Sequence, residues 1–148
     1  MQNHNAQFKL LLMRHGEAEG HPDINRQLTK NGREQCRSIG NALRAENLIP
    51  DLILTSSVLR AQESYAALNF TDIPHISCGL DLYTAHSVDD VLLTLQSLIP
   101  ETTKRVLVIG HNPYIHETAL YLGHKNPNAY LPLIAHHYAP ATTTIISH

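Results

Sequence analysis

The chain has 148 residues, the size of one domain, and a compact fold of that length buries about two-thirds of its extended-chain surface. With 43% hydrophobic and 16% charged residues it reads as an ordinary globular protein, and a formal charge of -2 with no local Lys/Arg cluster offers no basic face to nucleic acid. No apolar run approaches the roughly 18 residues of a membrane span, and the opening MQNHNAQF lacks the charged and apolar regions of a signal peptide.

No internal repeat, linker or low-complexity segment divides the chain, so a single domain over 1–148 is expected. The first β-type run is 8–13 (FKLLLM), which stops abruptly on Arg14, His15 and Gly16. A helix is predicted over 30–46, where Cys36, Ile39, Gly40 and Leu43 share one face. Thr29 precedes it as a cap. A strand at 52–55 (LILT) leads to a helix over 58–69, with Val58, Ala61, Tyr65 and Leu68 aligned. After a strand at 75–78 (HISC), Ser87 is the expected N-cap of a helix over 88–99, with Asp90 three residues on. The strand 105–110 (RVLVIG) precedes a last helix, for which Pro113 suits the first helical position. The closing run 142–147 reads as an edge strand, antiparallel to its neighbour. Strands alternating with helices predict an α/β sandwich around a mostly parallel sheet. Cys36 and Cys78 lie far apart without a CxxC, so they read as free buried thiols in a reducing compartment, which points to the cytoplasm.

In open α/β sheets, ligands bind beyond the carboxyl ends of the strands. Arg14–His15–Gly16 follows the first strand, SSVLR (56–60) the second, and GHNP (110–113) the fourth. Singly, each has a plain explanation: a turn glycine, a solvated arginine, a surface histidine. Together they bring Arg14, His15, Arg60 and His111 to one place. If Ser57 caps the second helix, Arg60 lies in its first turn, beside free N–H groups and the positive end of the helix dipole. Asn112 and Pro113 open the last helix in the same way. Two guanidinium forks and two helix N-termini suit a phosphate dianion. Cations around His15 disfavour its imidazolium form and leave it neutral and nucleophilic at pH 7.

The segments LLLMRHGEAEG, RQLTKNGREQ, LILTSSVLRAQES and VLVIGHNP, spread over about residues 8 to 122, resemble the histidine phosphatase superfamily, also called the phosphoglycerate-mutase-like fold. The likeness is greatest to its short SixA-like branch of phosphohistidine phosphatases. It implies a three-layer sandwich without a helical cap, and a phosphatase that needs no metal or other cofactor. It implies that His15 accepts the phosphoryl group, that Arg14 and Arg60 hold its oxygens, and that His111 completes the pocket. Gly16 and Asn112 then line the substrate site, and Arg26 in NRQLT matches an arginine common in that branch, at the rim. The tail 123–148 adds little to the resemblance.

The proton donor is the least legible part. A phosphomonoester needs a general acid for its leaving oxygen. The larger superfamily carries a carboxylate just after the third strand. There GLDLYTA supplies Asp81 where the family usually has Glu, and a turn role explains Asp81 equally well. Glu17 is the alternative. Glu19 reads as solvated and Tyr83 as a packing aromatic. The 11 histidines invite a metal reading, but His136 and His137 are adjacent, there is no HExxH, and His111 and His116 are five apart. A phosphate-binding regulatory module, a metal-binding protein and a mutase are the competing readings. About nine residues, Gly79 to Ser87, separate the third strand from the next helix, too few for a subdomain over the pocket. The expected site is therefore open, fitting phosphohistidine on a protein, with a small phosphate ester as the other candidate.

Overall fold

The apolar runs do become strands. In the computed structural model, which describes residues 7–22, 24–125 and 138–147, the order is β1 (Lys9–Arg14), α1 (Lys30–Ala45), β2 (Leu52–Thr55), α2 (Leu59–Leu68), β3 (His75–Ser77), α3 (Val88–Leu98), β4 (Arg105–Gly110), α4 (Tyr114–Lys125) and β5 (Thr143–Ser147). The N-terminal residues 1–6 and the pair His136–His137, both read above, lie outside the described residues. One five-stranded sheet has the order β3-β2-β4-β1-β5. Its first four strands are mutually parallel, and β5 pairs antiparallel with β1 at the edge, as the sequence predicts.

The central strands are continuous apolar runs because both their faces are covered. Side chains alternate along each strand. Leu10, Leu12, Leu54, Val106 and Val108 pack toward Val91 and Leu95 of α3 and Ile115 and Ala119 of α4. Leu11, Met13, Ile53, Leu107 and Ile109 pack on the other side with Cys36 and Leu43 of α1 and Ala61 and Leu68 of α2. This is the three-layer α/β sandwich expected. Among the described residues no helix is long and apolar enough to cross a membrane.

The helix starts follow the local chemistry, with one correction. Thr29 Oγ1 accepts from Gly32 N at 2.9 Å and caps α1. Ser87 Oγ accepts from Asp90 N at 3.1 Å, and Asp90 Oδ2 accepts from His86 N at 2.8 Å. Ser57 does not cap α2. Its backbone N donates to Gly79 O at 2.8 Å, tying the start of the helix to the loop after β3. The cap position falls on Val58, which makes no side-chain cap bond and is buried instead. Arg60 still lies in the first turn. Pro113 directly precedes α4 rather than opening it.

Gly40 sets how closely α1 and α2 approach. A Cβ there would stand 2.4 Å from Leu68 O, a backbone atom that cannot swing aside. Gly40→Ala is therefore expected to destabilise the fold by about 1–3 kcal/mol, the usual range for overpacking. Urea unfolding measures it, and an unchanged midpoint would contradict this account of the helix pair.

Candidate active site

β4 lies between β1 and β2, so the three junctions identified in the sequence sit side by side at one end of the sheet. Arg14 is the last residue of β1 and Gly110 the last of β4, each followed by a histidine. The ladder continues one step further, with His15 N donating to Gly110 O at 3.1 Å and Ser56 N to Ile109 O at 3.2 Å. The rings of His15 and His111 end 5.2 Å apart.

His15 is held in a defined state. Its Nδ1 donates to Gly16 O at 2.8 Å, since a carbonyl can only accept. Its Nε2 then carries the lone pair and accepts from Arg60 Nε at 3.3 Å. Burial is the largest influence on its pKa, which falls to about 4. The Gly16 carbonyl opposes the fall, and Arg14, Arg60 and Arg26 add to it. The neutrality expected from neighbouring cations is thus present, but desolvation contributes more than charge. His111 is pushed down further, to about 3, by burial first and then by His15 and the same three arginines. Both rings are neutral at pH 7.

Burial lowers the pKa of both Arg14 and Arg60, and other arginines lower it further. Among the described residues no carboxylate forms an ion pair with Arg14, Arg26 or Arg60. Arg14 Nε, Arg60 Nη1 and both ring nitrogens of His111 are buried without a hydrogen-bond partner. Buried donors ordinarily find partners. Unpaired donors grouped around a nucleophilic nitrogen are what an incoming oxyanion would satisfy.

Other predicted residues take more specific places. Arg26 is on the rim, where its Nη1 donates to Glu19 O at 3.0 Å and its charge reaches both histidines. Gly16 was expected to line the substrate site. Instead its N–H donates to Ser64 Oγ at 2.9 Å and its carbonyl holds His15. A Cβ at Gly16 would meet Gly32 O at 2.7 Å and Cys36 Sγ at 2.8 Å, so its smallness serves packing against α1. Asn112 Nδ2 donates to Tyr138 O at 3.0 Å, while its buried Oδ1 has no partner. Glu17 Oε1 accepts from Thr29 Oγ1 at 2.7 Å, which commits that carboxylate to the start of α1. Asp81 is exposed in the turn after β3, with its backbone N donating to Cys78 O at 3.3 Å. Its charge helps raise the Cys78 thiol to about 11, after burial. Among the described residues, no hydrogen bond or ion pair joins its carboxylate to His15, Arg60 or His111. Nor is any group of three or more His, Cys, Asp or Glu there arranged to hold a metal ion.

Two tyrosines lie closer to the site than the sequence suggests, Tyr83, read there as a packing aromatic, and Tyr138, which was not singled out. Tyr83 is no mere packing aromatic. It stands edge-on to His111 at 5.1 Å, and the Arg60 guanidinium lies 5.4 Å from its ring centroid. Tyr138 belongs to the tail that appeared to add little, yet its carbonyl accepts from Arg14 Nη1 at 2.9 Å. Its hydroxyl donates to Leu12 O at 2.9 Å and pairs with Thr144. Ala141 N also reaches the carbonyls of Arg14 and His15. A buried aromatic in the approach to the last strand was the available signal for Tyr138. Nothing in the local pattern marked Tyr83.

The pKa of His15 carries a direct test. Its folded value lies below the ordinary 6.5, so the unfolded state binds more protons between about pH 6.5 and 4. The stabilisation from the neutral ring is complete above 6.5 and declines as pH falls through that window. NMR titration of the imidazole is expected to show His15 unprotonated down to about pH 4. A midpoint near 6.5 would contradict the burial account.

Comparison with known proteins agrees with this geometry. Residues 10–77 match the model of the histidine phosphatase superfamily (branch 1). The phosphohistidine phosphatase SixA of Escherichia coli (strain K12) is 31% identical over 112 residues, covering 73% of this chain and 70% of that protein. A SixA-type structure from Nakamurella multipartitia superposes with a TM-score of 0.82 at 26% identity, covering 95% of this chain and 84% of the other. A structure of the protein histidine phosphatase SixA complexed with tungstate gives a TM-score of 0.65 at 26% identity, covering 95% and 86%. With 31% identity to the Escherichia coli relative over more than two-thirds of both chains, and the family model matching from β1 to β3, the chain belongs to the histidine phosphatase superfamily.

Proposed function

We propose that this protein is a metal-independent phosphatase that removes the phosphoryl group from phosphohistidine in proteins, through a phosphohistidine intermediate on His15. The carrying observation is the state of His15: a buried, neutral ring whose Nδ1–H is fixed on Gly16 O and whose Nε2 accepts from Arg60 Nε, in a site where Arg14 Nε and Arg60 Nη1 are buried without partners. In the first step Nε2 attacks phosphorus, the bond to the leaving nitrogen breaks, and that nitrogen's electron pair takes a proton. As His15 gains positive charge, the Gly16 carbonyl opposite it stabilises the ring. The phosphoryl oxygens take N–H groups of Arg14, Arg60 and His111, which matters because a loose transition state spreads charge over them. In the second step water attacks the phosphorus, releasing phosphate and neutral His15.

We read the site as reaching solvent on the side of Tyr83, which favours a protein substrate. Only residues 78–87 join β3 to α3, too few for a subdomain over the site, and a single domain without a helical cap would leave room for a side chain projecting from another protein. The bond type agrees, since imidazole leaves more readily than an alkoxide and demands less of a general acid. For esters we assign that acid to Asp81, the carboxylate of the loop beside the pocket, because Glu17 is engaged by Thr29. Cys36 and Cys78, both free and buried, fit a reducing compartment, and the cytoplasm is the location we assign.

A phosphohistidine peptide should give a higher kcat/KM than any of a panel of sugar phosphates and phosphoglycerate. A small metabolite winning by about a hundredfold, near 2.7 kcal/mol of transition-state binding, would overturn the substrate assignment. Chelators should leave the rate unchanged. For ester substrates, Asp81→Asn should lower the rate substantially more than Glu17→Gln, and the reverse order would move the acid to Glu17.

A further inference from the structure

His15, His111, Tyr83 and Arg60 form a closed circuit of contacts. His15 lies 5.2 Å from His111, His111 lies 5.1 Å edge-on to Tyr83, Arg60 sits 5.4 Å over Tyr83, and Arg60 Nε returns to His15 Nε2 at 3.3 Å. Three members are nearly inaccessible, with exposures of 4% for His15, 5% for His111 and 6% for Arg60. Tyr83 is the exception at 39%. It therefore spans the pocket and the solvent.

The loop holds this ring in place. Tyr83 N donates to Leu80 O at 2.9 Å, and Cys78 N donates to Thr55 O at 2.7 Å. Ser57 N, just before α2, donates to Gly79 O at 2.8 Å. The loop is thus bonded to the end of β2 and to the start of α2, the helix that carries Arg60. The loop that carries Tyr83 is thereby tied to the helix that carries Arg60.

In-line attack by His15 Nε2 puts the leaving atom on the far side of phosphorus, and a leaving group attached to a protein must continue from there to solvent. Of the four side chains in the circuit, Tyr83 is the one that reaches solvent, so it is the one available to meet such a group as it departs. We propose that Tyr83 is a specificity-determining residue, an aromatic wall that favours a flat aromatic leaving group over an aliphatic one. The inference rests on the phosphatase reading of the His15 pocket and extends it to the part of the substrate that departs. An imidazole, being flat and polarisable, can lie against a tyrosine ring, whereas an alkoxide chain gains less from it.

Equilibrium binding of phenylphosphonate and methylphosphonate separates this role from a structural one, because neither probe has to react. Tyr83→Ala is expected to weaken phenylphosphonate about tenfold while changing methylphosphonate less than twofold, and Tyr83→Phe should keep the wild-type ratio. Tyr83→Leu fills the space without an aromatic face and should behave as Tyr83→Ala does. Equal losses for both phosphonates would overturn the proposal and leave Tyr83 a prop for Arg60 and His111. Wild-type selectivity in Tyr83→Leu, or a wild-type protein that binds neither phosphonate, would overturn it too. If the phosphonate ratio behaves as expected while a phosphohistidine peptide is not hydrolysed, the substrate assignment falls and the aromatic wall stands.

Discussion

The hydrogen bond from His15 Nδ1 to the carbonyl of Gly16, made inside a buried pocket, selects the tautomer that leaves Nε2 with a lone pair. Burial then removes the competing protonated form near neutral pH. Arg60 meets Nε2 from the other side. An imidazole placed on the surface with the same neighbours would lack the desolvation that contributes most to its low pKa. The sheet, the loop and the returning tail are arranged around keeping that ring buried and fixed.

Several remote contacts follow from this requirement. Gly16 can turn back onto His15 because it fits directly against Gly32 and Cys36, where a side chain would collide. Ser64 takes the Gly16 N–H, and its own hydroxyl donates to Arg60 O at 2.7 Å, linking the loop of His15 to the helix of Arg60. The edge strand β5 contributes from the opposite side of β1. The residues leading into it supply the carbonyl of Tyr138 to Arg14 and the N–H of Ala141 to the backbone at Arg14 and His15. Arg14 is thus held with one nitrogen anchored on Tyr138 O and Nε left unpaired.

The parts legible in the sequence were those governed by short-range pattern. The strand ending on Arg14–His15–Gly16 was readable because a buried parallel strand is a continuous apolar run and its polar terminus is conspicuous. Thr29 and Ser87 were readable because capping is local chemistry. Ser57 was misread because a backbone bond to Gly79, distant in sequence, outweighed its intrinsic preference. Gly16 had the right location but the wrong purpose, since its crowding by Gly32 and Cys36 depends on where α1 lies. Tyr83 and Tyr138 join the site through contacts with residues far along the chain, and no periodicity records such contacts.

The central claim is that the phosphoryl group passes through Nε2 of His15. Reacting the protein with a phosphohistidine peptide, quenching in alkali to preserve phosphoramidate bonds, and locating the phosphate by 31P NMR and peptide mapping tests it directly. The account predicts one transient phosphate on Nε2 of His15, absent from His15→Ala, which should fold but not turn over. A phosphate found on His111, or turnover persisting in His15→Ala, would contradict it.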